Sequence, residues 1–395
     1  MKLFIFLIIL NTVSSLFAKA TCTGAVCTQI PGLFLNELNQ SEIQFRTQYL
    51  DKVLDSMTRA TMSTNIASSQ QGIGTVNRFQ VGAGVGASLT KLEEINVNFQ
   101  NWGVYKLPSG GGAVAPNVMA AINLGWLFGK GGRDAYLGSK KIPEYTTVEE
   151  VAKDDGETDS ILNKFSLYVH GMQLKYDMKD FKSVNINSEG VSGNISLKQY
   201  GFMLRYQVFD PTDTSWLFRF MGLSLGAGYH YHNFNADILE SNKTSTRVTA
   251  GNFSGSWIAD TNFIYKSESK ALTADIRSGI ELFNFMTAFA GAGYSRNTGD
   301  TDLRINRNGL LRLYTDPKQI QGADYLTPTE IANLQEISKK EGNLHVDIQD
   351  YKKLEWNQGY FVGGFEFQIF KMQLLLEGMA MEKTRSVNIG IKANF

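Results

Sequence analysis

Proline, cysteine and histidine are scarce in this chain: 7, 2 and 4 residues among 395. So few prolines leave long stretches free to run as strands, since proline cannot donate to a ladder. Two cysteines exclude a disulfide scaffold and a four-thiolate zinc site. An excess of one charge is lacking too: 38 basic residues meet 38 acidic ones, which argues against nucleic acid as a partner. Beyond residue 20 no apolar run approaches the roughly 18 residues that a membrane-spanning helix needs. There is no phosphate loop, dinucleotide fingerprint or zinc-ligand spacing. The four histidines, His170, His230, His232 and His345, stand in no catalytic motif, so the expectation is no enzyme, no cofactor and no metal. His230 and His232 share a strand face with Asp237 beyond, a spacing that suits a metal. Polar residues facing the inside of a barrel at its rim are the alternative.

What the chain does have begins at its N-terminus. Met1-Lys2, the apolar run Leu3 to Leu10 and Ala18-Lys19-Ala20 read as a signal peptide over 1–20, leaving Thr21 first in the mature protein. An exported chain meets an oxidising compartment, so Cys22 and Cys27 are expected to close a small disulfide loop. Lipidation of Cys22 is the rival, disfavoured by Lys19 and Thr21. In residues 21–77 the positions Ile43, Tyr49, Leu50, Val53, Leu54, Met57 and Ala60 recur at helical spacing. With Ser41 and Gln44 as a capping box, they predict an amphipathic helix serving as a periplasmic plug or a covering element.

From residue 78 the period becomes two. Phe79 to Thr90 alternates, and so do segments from Val118 to Phe128, Phe165 to Tyr176, Tyr200 to Val208, Met221 to Tyr231, Leu272 to Leu282, Met286 to Tyr294, Phe361 to Ile369, Met372 to Ala380 and Arg385 to Phe395. The third slips phase near Tyr168, as a bulge would make it. Residues 96–105 and 257–265 are weaker candidates. Each clear segment matches the roughly 9–11 residues with which a strand crosses a bilayer at a tilt. Glycine is abundant at 38 residues and aromatics reach 12%. The mean hydropathy of −0.18 fits a wall whose polar inner residues cancel its apolar outer ones. The fold class expected is all-β: a transmembrane antiparallel β-barrel of 10–14 strands, twelve at the centre, with an N-terminal amphipathic helix.

The last strand sharpens that reading. Val387, Ile389, Ile391, Ala393 and Phe395 alternate with Asn388, Gly390, Lys392 and Asn394. This resembles the C-terminal signal strand of bacterial outer-membrane β-barrels, which end in Phe or Trp. The resemblance implies an assembly signal at Val387, Ile389, Ile391 and Phe395, read by the barrel-assembly machinery, and placement in the bacterial outer membrane among its lipids. Cys22-x4-Cys27 after the signal, with long loops, further resembles the leptospiral surface adhesins. That resemblance implies surface exposure and host extracellular-matrix partners.

Charges on the lipid face cost roughly 2–4 kcal/mol near the midplane for Arg or Lys, so charged strand residues must face inward. That rule assigns Arg205, Arg219, Asp275, Arg277, Glu281, Glu366, Glu377 and Lys392 to a lumen charge network, either filling a narrow barrel or lining a pore. Tyr229, Tyr231 and Tyr294 are expected in an aromatic girdle. Short turns at Asp210–Asp213, Asn284 and Phe370-Lys371 belong on the periplasmic side. The connections 90–115, 177–196, 232–270 and 298–358 then become long extracellular loops. Residues 129–163 break the rule, being long yet placed inside, with a short helix at Thr146–Lys153 as one solution. The function expected is adhesin-like ligand binding by the loops, the largest being 298–358. The alternative is a narrow porin-like channel or uptake barrel plugged by 21–77.

Overall fold

Strands form wherever apolar and polar residues alternate from Phe79 onward, and they close into a ring. The computed structural model describes residues 20–28, 32–99, 103–130, 160–177, 190–213, 217–250, 253–315 and 326–395. The signal-peptide reading of 1–20 and the helix at Thr146–Lys153 lie outside those residues, Ala20 apart.

The chain opens with β1 (Thr21–Gly24) and a 3-10 turn, Ala25–Thr28. Helix α1 (Gly32–Phe45) passes through a π turn, Arg46–Leu50, into α2 (Asp51–Ala67). Next come β2 (Phe79–Thr90), a small hairpin of β3 (Glu93–Phe99) and β4 (Gly103–Ser109), β5 (Gly112–Asn123) and the short helix α3 (Leu124–Leu127). They are followed by β6 (Phe165–Asp177), β7 (Val191–Phe209), β8 (Thr212–Asp213), β9 (Phe218–Ala250), β10 (Phe253–Leu282) and β11 (Met286–Thr315). Helix α4 (Pro328–Ser338), β12 (Lys340–Ile369), β13 (Met372–Met381) and β14 (Thr384–Asn394) complete the chain.

Ten strands make the barrel, in the cyclic order β2-β5-β6-β7-β9-β10-β11-β12-β13-β14, and every pairing is antiparallel. The last strand closes the ring: Ile391 pairs with Leu374 on one side and Ala83 on the other. Ten is the lower end of the expected range. The two weak candidates explain the difference: 96–105 falls in the β3–β4 hairpin outside the ring, and 257–265 is part of β10.

The largest departure concerns length. β9 to β12 each run 30 to 33 residues, about three times what a bilayer crossing needs. Most of the expected loops 232–270 and 298–358 is therefore continuous strand, with α4 near one tip. From Ser295 to Thr315, at about 3.3 Å per residue, β11 adds roughly 70 Å of strand beyond its lipid-facing part.

The N-terminal segment is not gathered at the short-turn mouth, where the sequence reading placed it. β1 pairs with β12 at Thr21↔His345 to Gly24↔Gly342, at the far tip of the long strands. From there α1 and α2 run back down, and α2 touches β2, β5, β7 and β9 to β14, so it lies within the ring. Ser41 falls inside α1 and is not an N-cap. Three smaller corrections follow from register. β6 carries no shift, and Tyr168 is buried facing inward, so the apparent slip is a lumen-facing aromatic. Met221 also faces inward, against Ile73 and Phe289, because the ladder shifts near Gly222. Leu124 and Trp126 belong to α3, not to a strand.

Candidate functional site

The lumen is built by polar residues on one face of each strand closing on a helix of small side chains. α2 ends in Thr58-Arg-Ala-Thr-Met-Ser-Thr-Asn-Ile-Ala67, a composition slim enough for a narrow barrel. The wall makes room with glycine: a Cβ on Gly84 would meet Gln70 Nε2 at 2.8 Å, and one on Gly86 would meet Ser68 Oγ at 3.1 Å. Hydroxyls then join helix to wall. Ser63 Oγ and Ser386 Oγ are 2.6 Å apart, Thr64 donates to Ser88 Oγ at 2.8 Å, and Thr58 and Thr301 meet at 2.5 Å.

Below the helix, the segment Gln70–Gly74 is gripped by the charged residues read from the sequence. Arg277 donates to Asp275 Oδ2 at 3.0 Å, to Glu377 Oε2 at 2.7 Å and to the Gly72 carbonyl at 2.6 Å. Arg205 pairs with Asp275 and donates to Gln71 Oε1 at 2.7 Å. Lys392 pairs with Glu366 at 2.7 Å, and Arg219 with Glu281 at 3.8 Å. All eight are thus in ion pairs, six of them buried. Gly72 and Gly74 hold left-handed φ of +58° and +82° under Glu366 and Arg205, where a Cβ would collide with those side chains. Ile73, Phe289, Val362 and Leu375 form a hydrophobic cluster between these charged residues. Under it a cavity of about 390 Å³ opens at the short-turn mouth, lined among others by Arg219, Glu281 and Phe395.

His170 and His230 face each other in this lumen, ring centres 5.3 Å apart, bonded to Asn65 and Thr273. His232 shares their side of the wall, while Asp237 lies on the opposite strand face. Among the described residues no cluster of His, Cys, Asp or Glu has the geometry to hold a metal.

Outside, Val387, Ile389 and Ile391 of the last strand are exposed in an apolar band. The backbone N–H of Phe395 donates to Phe79 O at 3.0 Å, and the two rings sit 6.0 Å apart. The band has a girdle at each end. Tyr229, Tyr231 and Tyr294 lie at the upper one with Tyr200, which sequence reading missed; Tyr200 stacks on Tyr231 at 4.8 Å. Lys198 and Lys270 stand 5.7 and 5.9 Å over the Tyr200 and Tyr231 rings. The lower girdle was also missed: Phe209, Phe218, Phe283, Phe285, Phe370 and Phe395 are all exposed at the short turns. Aromatics flanking turn residues were the available signal.

Above the tyrosines the long strands form a curled sheet around the Arg46–Leu50 turn and the top of α2. Leu50 and Leu54 are buried against Ala236, Tyr265 and Leu303, with Phe45, Tyr49, Ile305 and Ile348 packed alongside. At the tip, Cys22 and Cys27 are disulfide-bonded and pack with Val26 on Trp257, Leu311, Leu313 and Leu344. Where the Arg46–Leu50 turn meets β12, burial raises the Asp350 carboxyl to about 6; Asp51 adds to the shift, and Arg46 and Lys352 oppose it. Glu42 is also raised, chiefly by burial. The outward face is polar, with Asp300, Asp302, Arg304, Asp347, Tyr351 and Lys353 across β11 and β12.

This geometry is that of a transmembrane antiparallel β-barrel of the bacterial outer membrane, its lumen filled by its own N-terminal segment. Solved structures to which the chain is similar include the translocator domain of autotransporter NalP from Neisseria meningitidis, at 9% identity over 85% of this chain and 94% of that one, TM-score 0.31. The outer membrane protease OmpT from Escherichia coli is similar at 8% identity, over 81% and 98%, TM-score 0.27. The Acinetobacter baumannii outer membrane protein Omp33 is similar at 10% identity, over 81% and 98%, TM-score 0.24. No curated protein matches the sequence. A family model described as Lsa36-like matches residues 15–395. The chain belongs to the Lsa36-like family.

Proposed function

We propose that this is an adhesin-like surface protein whose sheet above the barrel binds host extracellular-matrix proteins. The observation that carries the reading is the continuation of β9 to β12 beyond the tyrosine girdle as a sheet braced from within by the Arg46–Leu50 turn and the top of α2 and capped by the disulfide loop. With the short turns in the periplasm, that sheet stands outside the cell. A braced platform presents its outer side chains already ordered, so binding costs little conformational entropy. The buried Ile73 cluster and the gripped Gln70–Gly74 segment count against the alternative, a channel.

The test is binding of the refolded mature protein to immobilised fibronectin, laminin and collagen. A variant carrying Asp300→Asn, Asp302→Asn and Asp347→Asn should keep the heat-dependent gel shift of a folded barrel and lose binding. Binding to none of the three by the parent protein, together with steady single-channel conductance in a planar bilayer, would favour the uptake channel.

A further inference from the structure

β12 leaves its neighbour β13 at Tyr360↔Met381, and at its start the same edge takes β1 over Gly342–His345. Between them, from Val346 to Gly359, no strand pairs with that edge among the described residues; the other edge is laddered to β11 throughout. An edge strand points alternate backbone N–H and C=O groups away from its sheet, so this stretch is a row of open donors and acceptors. Proteins blunt such edges with bulges, proline or charge. Here the ladder to β11 has no register shift from Met286↔Phe367 to Leu313↔Lys340, and no proline lies in it. Charge is present but is directed off the edge: Lys352 turns inward to Asp51, 3.0 Å from its carboxylate, Asp350 faces inward, and Asp347, Lys353 and Glu355 lie on the outer face of the sheet.

Beside the lower half of this edge lies a cavity of about 370 Å³ between α2, the start of β3 and the turn before β14. Lys52, Arg59, Lys91, Lys352 and Lys383 line it, against Asp55 and Glu93. Arg59 closes on Asp55 at 3.0 Å and Lys91 lies 3.9 Å from Glu93. Lys52 and Lys383 have no carboxylate partner among the described residues. The upper half of the edge is different, with Asp347 and Asp350 on the strand and Glu42 opposite.

We infer that the free edge of β12, Val346 to Gly359, receives an extended peptide as an added strand, acidic where it passes Lys52 and Lys383. Main-chain hydrogen bonds supply affinity in this mode, and flanking side chains supply selectivity. The inference rests on the sheet being the binding element outside the cell, and it assigns the partner's chemistry. An anionic lipid headgroup would meet the same lysines but has no use for the backbone row.

The test titrates the refolded full mature protein with a labelled peptide of alternating Thr and Asp, and with the Thr/Lys analogue. The Asp peptide should bind and the Lys analogue should bind about tenfold more weakly, as should the Asp peptide to the Lys52→Glu, Lys383→Glu protein. N-methylating one alternate set of peptide amides should abolish binding, and methylating the other set should leave it intact, because only one set faces β12. Equal binding by both methylated peptides would overturn the inference, since charge alone would then suffice. So would full displacement by short-chain phosphatidylglycerol with no sensitivity to methylation, which would mark a headgroup site. Absence of peptide binding by a protein that still binds matrix proteins would overturn this inference and leave the proposed function standing.

Discussion

Each of the long strands is two strands of opposite character joined at the tyrosines. On β11 below Tyr294 the outward residues are Ala288, Ala290 and Ala292 and the inward ones Thr287, Phe289, Gly291 and Gly293; just above it Ser295, Asn297 and Thr301 face inward. Higher up, Asp300, Asp302, Arg304 and Asn306 face outward, while Leu303, Ile305, Leu311 and Leu313 face inward onto the helix and tip clusters. β12 changes in the same way, from outward Phe361 and Phe365 to inward Leu344, Val346 and Ile348. The backbone register does not shift at the change. What changes are the surroundings on each side: lipid outside and an interior of ion pairs and apolar clusters below, water outside and an apolar interior above. The level at which the faces exchange is a membrane boundary read from the chain itself, and the Lys198 and Lys270 ammonium groups stand at it.

The two regions also differ in what a charge pair is worth, and this is where the largest effect is expected. Arg277 is buried between Asp275 and Glu377, whereas Arg304 and Asp347 pair at 2.6 Å on the outer face of the sheet. Replacing Arg277 with Met strands the buried Glu377 carboxylate and leaves Asp275 with Arg205 alone, and should cost about 3–5 kcal/mol. Arg304→Met should cost less than about 1 kcal/mol. Urea titration in lipid vesicles, followed by the gel shift of the folded barrel, measures both. Similar losses from the two variants would mean that the lumen network is hydrated and that the contrast drawn here is false.

A second experiment works on the outward faces. Ile389→Arg puts a cation into the apolar band and should destabilise the barrel by about 2–4 kcal/mol. Asp302→Arg, at an outward position above the girdle, should stay within about 0.5 kcal/mol of the parent. The same urea titration reads both. A tolerated Ile389→Arg would remove that face from lipid, and a severe Asp302→Arg would move the boundary above residue 302.

The exchange of faces also explains what could be read from the sequence. A search for apolar residues facing outward finds the lower halves of β9 to β12 and the whole of β2, β13 and β14, because lipid demands that pattern. The inward charges follow from the same rule, and Arg205, Asp275, Arg277, Glu366, Glu377 and Lys392 do meet in one lumen. Above the tyrosines the alternation goes on in the opposite phase, with polar residues such as Asp300 and Asp302 where apolar ones had been, so strand looked like loop. Its apolar partners, Leu50 and Leu54, lie some 250 residues away in the chain. Placement of the helix was hidden for a related reason: α2 in the lumen is polar on most sides and resembles a covering helix. The glycines on the inner face of β2, Gly82, Gly84 and Gly86, were the sign that something packs there.

The smallest effect concerns how the upper sheet holds its helix. Asp350, half-buried beside Arg46 and Asp51, has its carboxyl raised to about 6 by burial first and by Asp51 second, and Glu42, near Arg46 and Asp347, is raised chiefly by burial. A raised acid is favoured in its neutral form by the fold. Its stabilising contribution is therefore complete below the ordinary carboxylate range near 4 and is lost as pH rises through about 6. Acidification from pH 7 to pH 5 should seat the Arg46–Leu50 turn and the start of α2 more firmly against β12. Asp350→Asn mimics the neutral form, so amides of residues 42–52 should exchange more slowly in the variant than in the parent at pH 7, by roughly threefold. That modest figure allows for the half-exposed carboxyl. At pH 5 the two proteins should converge, and taking their ratio at each pH cancels the intrinsic pH dependence of exchange. A ratio that stays constant across this range, or a parent better protected at pH 7, would show that Asp350 is held charged by Arg46 and Lys352 and that the contact does not sense pH.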